Sequence, residues 1–317
     1  MELAVYNLEF PLNCKTLSIC GDEFSRVVDY PSRFRALQHL VSVHDPEGSR
    51  EVCTGGHAHT ANATTPNPIP PAAISWGFAH ATALDDILLL LSLFTQRDVF
   101  VVDLSRFGDK PFAILADPRC FPWGGVLSCS VPFKGFNPTD NPTDEVDIGL
   151  LEQLPKIYER LNDEKWRKGY RNGYFLVLLK IAMQQRSLEI AFSQCWTIWE
   201  HLFACLNDAW MSNASIERLS AKEKIAFLLV HFGVRVELQK HEKSRLDDLV
   251  AIRNRLVHYG RFPDRDFVRQ DAEMFVRITE YVAAKILGLY PSNVFNTVER
   301  LEEFLSAQKR VMKTGHP

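Results

Sequence analysis

Arg253, Asn254 and His258 stand within one short run, Arg253-Asn254-Arg255-Leu256-Val257-His258. They bring together a fixed cation, an amide and an imidazole. Histidine changes charge near neutral pH and can serve as general acid or base. Arginine grips phosphate oxygens bidentately and offsets charge that develops on them. That set suits cleavage of RNA by internal transfer. The ribose 2′-OH loses its proton and attacks phosphorus, and the 5′-oxygen leaves with a proton. The ribose supplies the nucleophile, so neither a serine, a cysteine, a metal nor any other cofactor is required.

The element that must position these groups is a helix over about 245–258. Ser244-Arg245-Leu246-Asp247 reads as a capping box at its start. Gly260 stands where a left-handed C-terminal residue belongs, and Pro263 follows. At roughly 100° per residue, Leu246, Leu249, Val250, Ile252, Leu256 and Val257 form one apolar arc. Arg253 falls inside that arc, Arg255 points away, and Asn254 and His258 stack on one flank. An arginine on an apolar face needs a buried partner or a second chain to cover it. Spacing alone also fits a plainer reading, an arginine held by an acidic partner and a histidine capping the helix end.

The rest of the chain sets the frame. It has 317 residues, 46% apolar and 24% charged, with a net charge of −3. No global positive field marks a nucleic-acid binder, so RNA contact must come from a local patch. Seven cysteines, an odd count without CxxC spacing, read as free thiols of a reducing cytoplasm. The start lacks the pattern of a signal peptide. The apolar segment around Ile87 to Phe94 is far shorter than the roughly 20 residues of a membrane span. No membrane association is expected.

The pattern changes near residue 145. Before it, β-leaning runs such as Ala4-Val5-Tyr6, His39 to Val43, Val99 to Val102 and Phe112 to Leu115 surround one buried helix from about Leu84 to Thr95. Residues 54–72 read as a mobile loop. Its His57-Ala58-His59 resembles the start of a cupin metal motif, but no Glu follows at the required spacing. Two solvated loop histidines are the expectation, and no metal site. After the linker Asn137 to Pro142 almost everything reads as helix, including Asn293 to Val311. Ser220-Ala221-Lys222-Glu223 is a further capping box. The expected fold is α+β: a mixed domain over 1–145, an all-α bundle over 146–292, and a C-terminal helix and tail over 293–317.

Two basic stretches are RNA-contact candidates. Lys165 to Asn172 mixes cations with aromatics, with Lys168 and Arg171 foremost, and reads either as an RNA track or as a solvated helix end. Arg255 and Arg261 lie at the motif itself, with Arg265 and Arg269 beyond. Asp264, Asp266 and Asp271 nearly cancel the latter group.

An all-α region whose long helix ends in Arg253-Asn254-x-x-x-His258, followed by Tyr259-Gly260, resembles the HEPN superfamily. Trp199-Glu200-His201-Leu202 resembles the acidic position of many such domains, so Glu200 is expected to hold Arg253. The ApeA-like HEPN proteins of bacterial antiphage systems, which also carry a β-containing N-terminal domain, are the subgroup most resembled. The resemblance covers roughly 146–290. It implies a metal-independent endoribonuclease working as a homodimer, a toxin or abortive-infection effector whose two motif helices share one site. A phage-derived or other regulatory trigger would then act on the N-terminal domain. The competing expectation is a catalytically silent dimerisation or adaptor module whose N-terminal domain binds a protein or small ligand.

Overall fold

The computed structural model describes residues 2–10, 14–37, 40–45, 48–53, 58–66, 83–102, 127, 149–185, 187–234, 245–263 and 268–289. The chain divides into two compact units. One comprises Met1–Pro122 and Val131–Arg160, the other Trp123–Ser130 and Leu161–Pro317. The fold is α+β. The helical unit begins at Leu161 rather than at 146, and it takes in a short piece of chain from before the linker. Leu127 shows why: its N–H donates to Glu280 Oε1 at 2.8 Å, and both residues are buried. A contact that long in sequence leaves no local pattern.

The first unit is built on strands β1 Glu2–Tyr6, β2 Thr16–Ile19 and β3 Asp22–Arg26, helix α1 Tyr30–Leu37, and strands β4 Leu40–Asp45, β5 Gly48–Cys53 and β6 His59–Thr64. Helix α2 Ala83–Thr95 and strand β7 Phe100–Val102 complete it. Among the described residues β2-β3-β6-β1-β7 form one antiparallel sheet, and β4-β5 pair separately. Cys20 and Gly21 both take positive φ, 53° and 94°, in the two-residue turn between β2 and β3. Turns of that type match strand twist, and glycine enters them without strain.

Strand β6 lies in the sheet's interior, within the segment expected to be a loop. Its sequence His-Thr-Ala-Asn-Ala-Thr carries no bulky β-former. The fit is to its neighbours instead. Ala61 pairs beside Val5 and Arg26, and Ala63 beside Leu3 and Phe24, so small side chains alternate under large ones. His59 is therefore no loose loop residue: its Nε2 lies 2.7 Å from Asn62 Oδ1. His57 lies outside the described residues, as do the expected strand at 112–115 and helix at 293–311. Helix α2 is buried nearly all round, as its sequence suggested.

The second unit holds α4 Glu164–Gly169, α5 Tyr174–Gln184, α6 Leu188–Asn207, α7 Asn213–Arg218, α8 Ala221–His231, α9 Arg245–Tyr259 and α10 Val268–Ile286, while α3 Gly149–Asn162 runs across the boundary. Helix α6 is the spine. Its Phe192, Trp196 and Trp199 pack on Phe275 of α10 at ring separations of 5.3, 5.0 and 5.8 Å. Trp199 Nε1 donates to Thr279 Oγ1 at 2.7 Å, and that hydroxyl donates to Phe275 O at 2.8 Å. The capping box at Ser220 and Glu223 forms as its sequence suggested. Ser244 lies outside the described residues, and Asp247 is instead ion-paired with Lys222 of α8. No helix of the described residues is long and apolar enough to cross a membrane.

Trp199→Phe keeps an aromatic ring but removes the indole donor and leaves a small cavity where the larger ring was fully buried. Thr279 retains its bond to Phe275, so the loss combines one hydrogen bond with a partial cavity and should be about 2–4 kcal/mol, read from the urea midpoint of the helical transition.

Candidate functional site

Burial sets the rotation of α9. Leu246, Leu249, Ile252 and Leu256 are buried, which turns Asn254 and His258 to solvent on the opposite side. Val257 departs from the expected arc and is 60% exposed, because the buried stripe narrows toward the helix end. Gly260 closes the helix with φ +69°, its N–H donating to Leu256 O at 2.8 Å. That left-handed cap ends α9 two residues beyond His258 and lets the chain turn away. Phe262 then returns to pack edge-on against Phe192 of α6, at 5.9 Å between ring centres.

Arg253 stands at the margin of the stripe, half-buried. Its Nη1 donates to Asn254 Oδ1 at 3.2 Å, so cation and amide meet as a unit at the surface. His258 is exposed, with Tyr259 as its ring neighbour at 6.5 Å. Among the described residues, no group bonds to its imidazole nitrogens. Arg255 lies with its guanidinium carbon 3.8 Å from the centre of the Tyr259 ring, a cation–π contact that the i, i+4 spacing allowed. Tyr259 itself is 63% exposed. The end of α9 thus presents Arg253, Asn254, Val257, His258 and Tyr259 together, polar groups beside uncovered apolar ones.

The carboxylate expected to hold Arg253 is engaged elsewhere. Glu200 accepts from Lys224 of α8 at 3.5 Å. Lys224 is mostly buried, so its ammonium needs that carboxylate more than the surface guanidinium does. Of the other RNA-contact candidates, Arg261 is exposed just after the helix, and Arg269 pairs with Glu273 one turn on at 3.5 Å. Lys168 and Arg171 are exposed at a separate place, around α4. Arg265 lies outside the described residues.

A second constellation was not singled out from sequence, although its i, i+4 spacing on α6 was visible. His201 Nε2 lies 3.4 Å from Cys205 Sγ, the approach of a cysteine–histidine catalytic pair. Its electrostatics oppose that role. Burial pushes the Cys205 thiol up to about 11, and burial together with Arg171 pushes the His201 imidazole down. The proton stays on sulfur and the pair stays neutral, the reverse of an activated thiolate. Cys14, Cys20, Cys195 and Cys205 are free thiols among the described residues.

Ile252→Ala should cost about 2–5 kcal/mol, because it opens a cavity in the stripe that fixes α9. Arg253→Ala should cost less than about 1 kcal/mol, since it removes one exposed hydrogen bond. Denaturant unfolding of both variants reads the contrast. Equal, large losses would mean that Arg253 is structural. Comparisons with protein-family models, with curated proteins and with solved structures give no match, so the site speaks through its geometry.

Proposed function

We propose that the chain is a HEPN-type endoribonuclease whose site forms around Arg253, Asn254 and His258 at the end of α9. The observation that carries this reading is their place at the border of the buried stripe: Asn254 and His258 are exposed, and the half-buried Arg253 meets Asn254 at the surface. A buried motif would have suited a purely structural cluster. Arg253 binds the scissile phosphate and offsets the charge of the phosphorane. Asn254 orients that guanidinium or the substrate. His258 moves the protons.

A single copy leaves the site incomplete, because one imidazole cannot at once take the 2′-OH proton and protonate the 5′-oxygen. A second copy covering the exposed Val257 and Tyr259 would bury apolar area and bring a second Arg253 and His258 to the same phosphate. In that homodimer one imidazole removes the 2′ proton as the 2′-oxygen attacks phosphorus. The P–O5′ bond breaks, and the other imidazole gives the leaving oxygen its proton. No step is routed through a metal. The first unit then serves as the part that senses a trigger, which fits an effector of antiphage defence acting as a toxin inside the cell.

Incubation with RNA and matched DNA in excess chelator tests this. RNA should yield 2′,3′-cyclic phosphate and 5′-hydroxyl ends, and DNA, lacking the 2′-OH, should survive. Arg253→Ala and His258→Ala should each lower the rate by about a hundredfold or more. Cleavage that needs added magnesium, equal cutting of DNA, or full activity in both variants would overturn the reading. A dimeric chain without any cleavage would point to the adaptor role.

A further inference from the structure

A second surface of the helical unit combines an exposed aromatic ring with a local excess of cations. Trp210 is 66% exposed, yet it does not sit on a loose segment. Its backbone N–H donates to Asn207 O at 3.2 Å, and the backbone N–H of Met211 donates to the same oxygen at 2.8 Å. Asn207 is itself buried, with its amide donating to Phe203 O at 2.8 Å. The turn beyond α6 is therefore anchored in the core while it holds an indole in water. Its chain neighbours Asp208, Ser212 and Asn213 are exposed and polar, with Ala209 the exposed small apolar residue between them. A protein-binding surface would be centred on a broad apolar patch.

The cations arrive from the segment ahead of α5. Arg171 Nη2 donates to Asp208 Oδ2 at 3.2 Å, which sets the guanidinium two residues along the chain from Trp210. Between Asp163 and Gly173, Lys165, Arg167, Lys168 and Arg171 face two carboxylates, Asp163 and Glu164. Asp163 is already engaged in capping α4, accepting from Trp166 N–H at 2.7 Å. Arg171, Asn172 and Gly173 hold φ of 46°, 60° and 71°, three left-handed residues in succession, two of which bear side chains that resist it. Two contacts hold this turn. Arg167 Nε donates to Asn172 Oδ1 at 3.4 Å, and the Trp166 ring lies over Gly173, where an added Cβ would come within 3.0 Å of it. The Arg171–Asp208 pair is solvent-exposed and therefore weak, so a phosphate can compete for the guanidinium's remaining donors.

We infer that Trp210, with Lys165, Arg167, Lys168 and Arg171, is an anchor for single-stranded RNA, the ring stacking on a base and the cations contacting the flanking phosphates. Stacking on any base with backbone charge neutralisation is the general mode of single-strand recognition. The position adds a length. Arg171 meets the far end of α6 at Asp208, whereas the chain leaving α9 meets its near end at Phe192. From Phe192 to Asp208 the helix rises about 24 Å at about 1.5 Å per residue. About seven nucleotides stacked at about 3.4 Å would cover that axial offset, and fewer of an extended strand. This spacing rests on the ribonuclease reading; the binding surface does not.

The test uses the full chain with His258→Ala, so that RNA survives, and a labelled oligouridylate of about six nucleotides read by anisotropy. Trp210→Ala should weaken binding by about fivefold or more, with Trp210→Phe partly restoring it. Lys168→Ala with Arg171→Ala should flatten the dependence of log K on log salt by about 1.4, two phosphates at about 0.7 each. Single-stranded DNA should bind comparably and duplex RNA poorly. Unchanged binding in Trp210→Ala, or a preference for duplex, would overturn the inference. A cleavage arm with otherwise unmodified protein separates the two claims. Trp210→Ala should raise KM for a twelve-nucleotide RNA, leaving kcat and tetramer cleavage unchanged. Binding that depends on Trp210 in a chain that cuts nothing would retain the anchor and reject the nuclease. Cutting indifferent to Trp210 at both lengths would do the opposite.

Discussion

Burial of Leu246, Leu249, Ile252 and Leu256 is the constraint on which the rest of the site depends, because it fixes the rotation of α9 about its own axis. A helix has one phase to set, and four inward aliphatic side chains set it. With that phase fixed, Asn254 and His258 must face solvent, and Arg253 must lie at the border between stripe and surface. The packing that holds the stripe is supplied by α8 and α10, and α10 is in turn joined to α6 through the aromatic group around Phe275 and the Trp199–Thr279 hydrogen bond. Function at the helix end is thus a consequence of core chemistry further inside.

The parts of this arrangement that were legible in sequence are those written in local periodicity. The stripe of α9, its glycine cap, the capping box of α8 and the all-round burial of α2 each follow from residues within a few turns of one another. Strand β6 was not legible, because its strand character comes from small residues fitting between larger neighbours on β1 and β3. The inclusion of Leu127 in the helical unit was hidden for the same reason: only the folded chain brings its N–H to Glu280.

The sequence placed Arg253 and Asn254 side by side, and it assigned Glu200 to Arg253. Arg253 and Asn254 do meet, but Glu200 serves Lys224. A helical wheel places Glu200 on a suitable flank without telling at which level along the bundle α9 passes. A buried ammonium also competes for a carboxylate more strongly than a surface guanidinium does. Conversely, the His201–Cys205 pair looks catalytic by distance alone, and only its burial shows that both groups remain neutral. Distance identifies which groups can react. Solvation and charge decide which of them do.

The central claim is that Arg253 and His258 act together in one site shared by two copies of the chain. Mixing unaltered protein with growing amounts of an Arg253→Ala, His258→Ala double variant, after dissociation and reassembly, tests it most directly. A mixed dimer then holds one Arg253 and one His258, so it lacks the second imidazole that the reaction needs. The account predicts that RNA cleavage falls with the square of the unaltered fraction, because only dimers of two unaltered copies cut. A fall in simple proportion to that fraction, with exchange verified by mass, would contradict it.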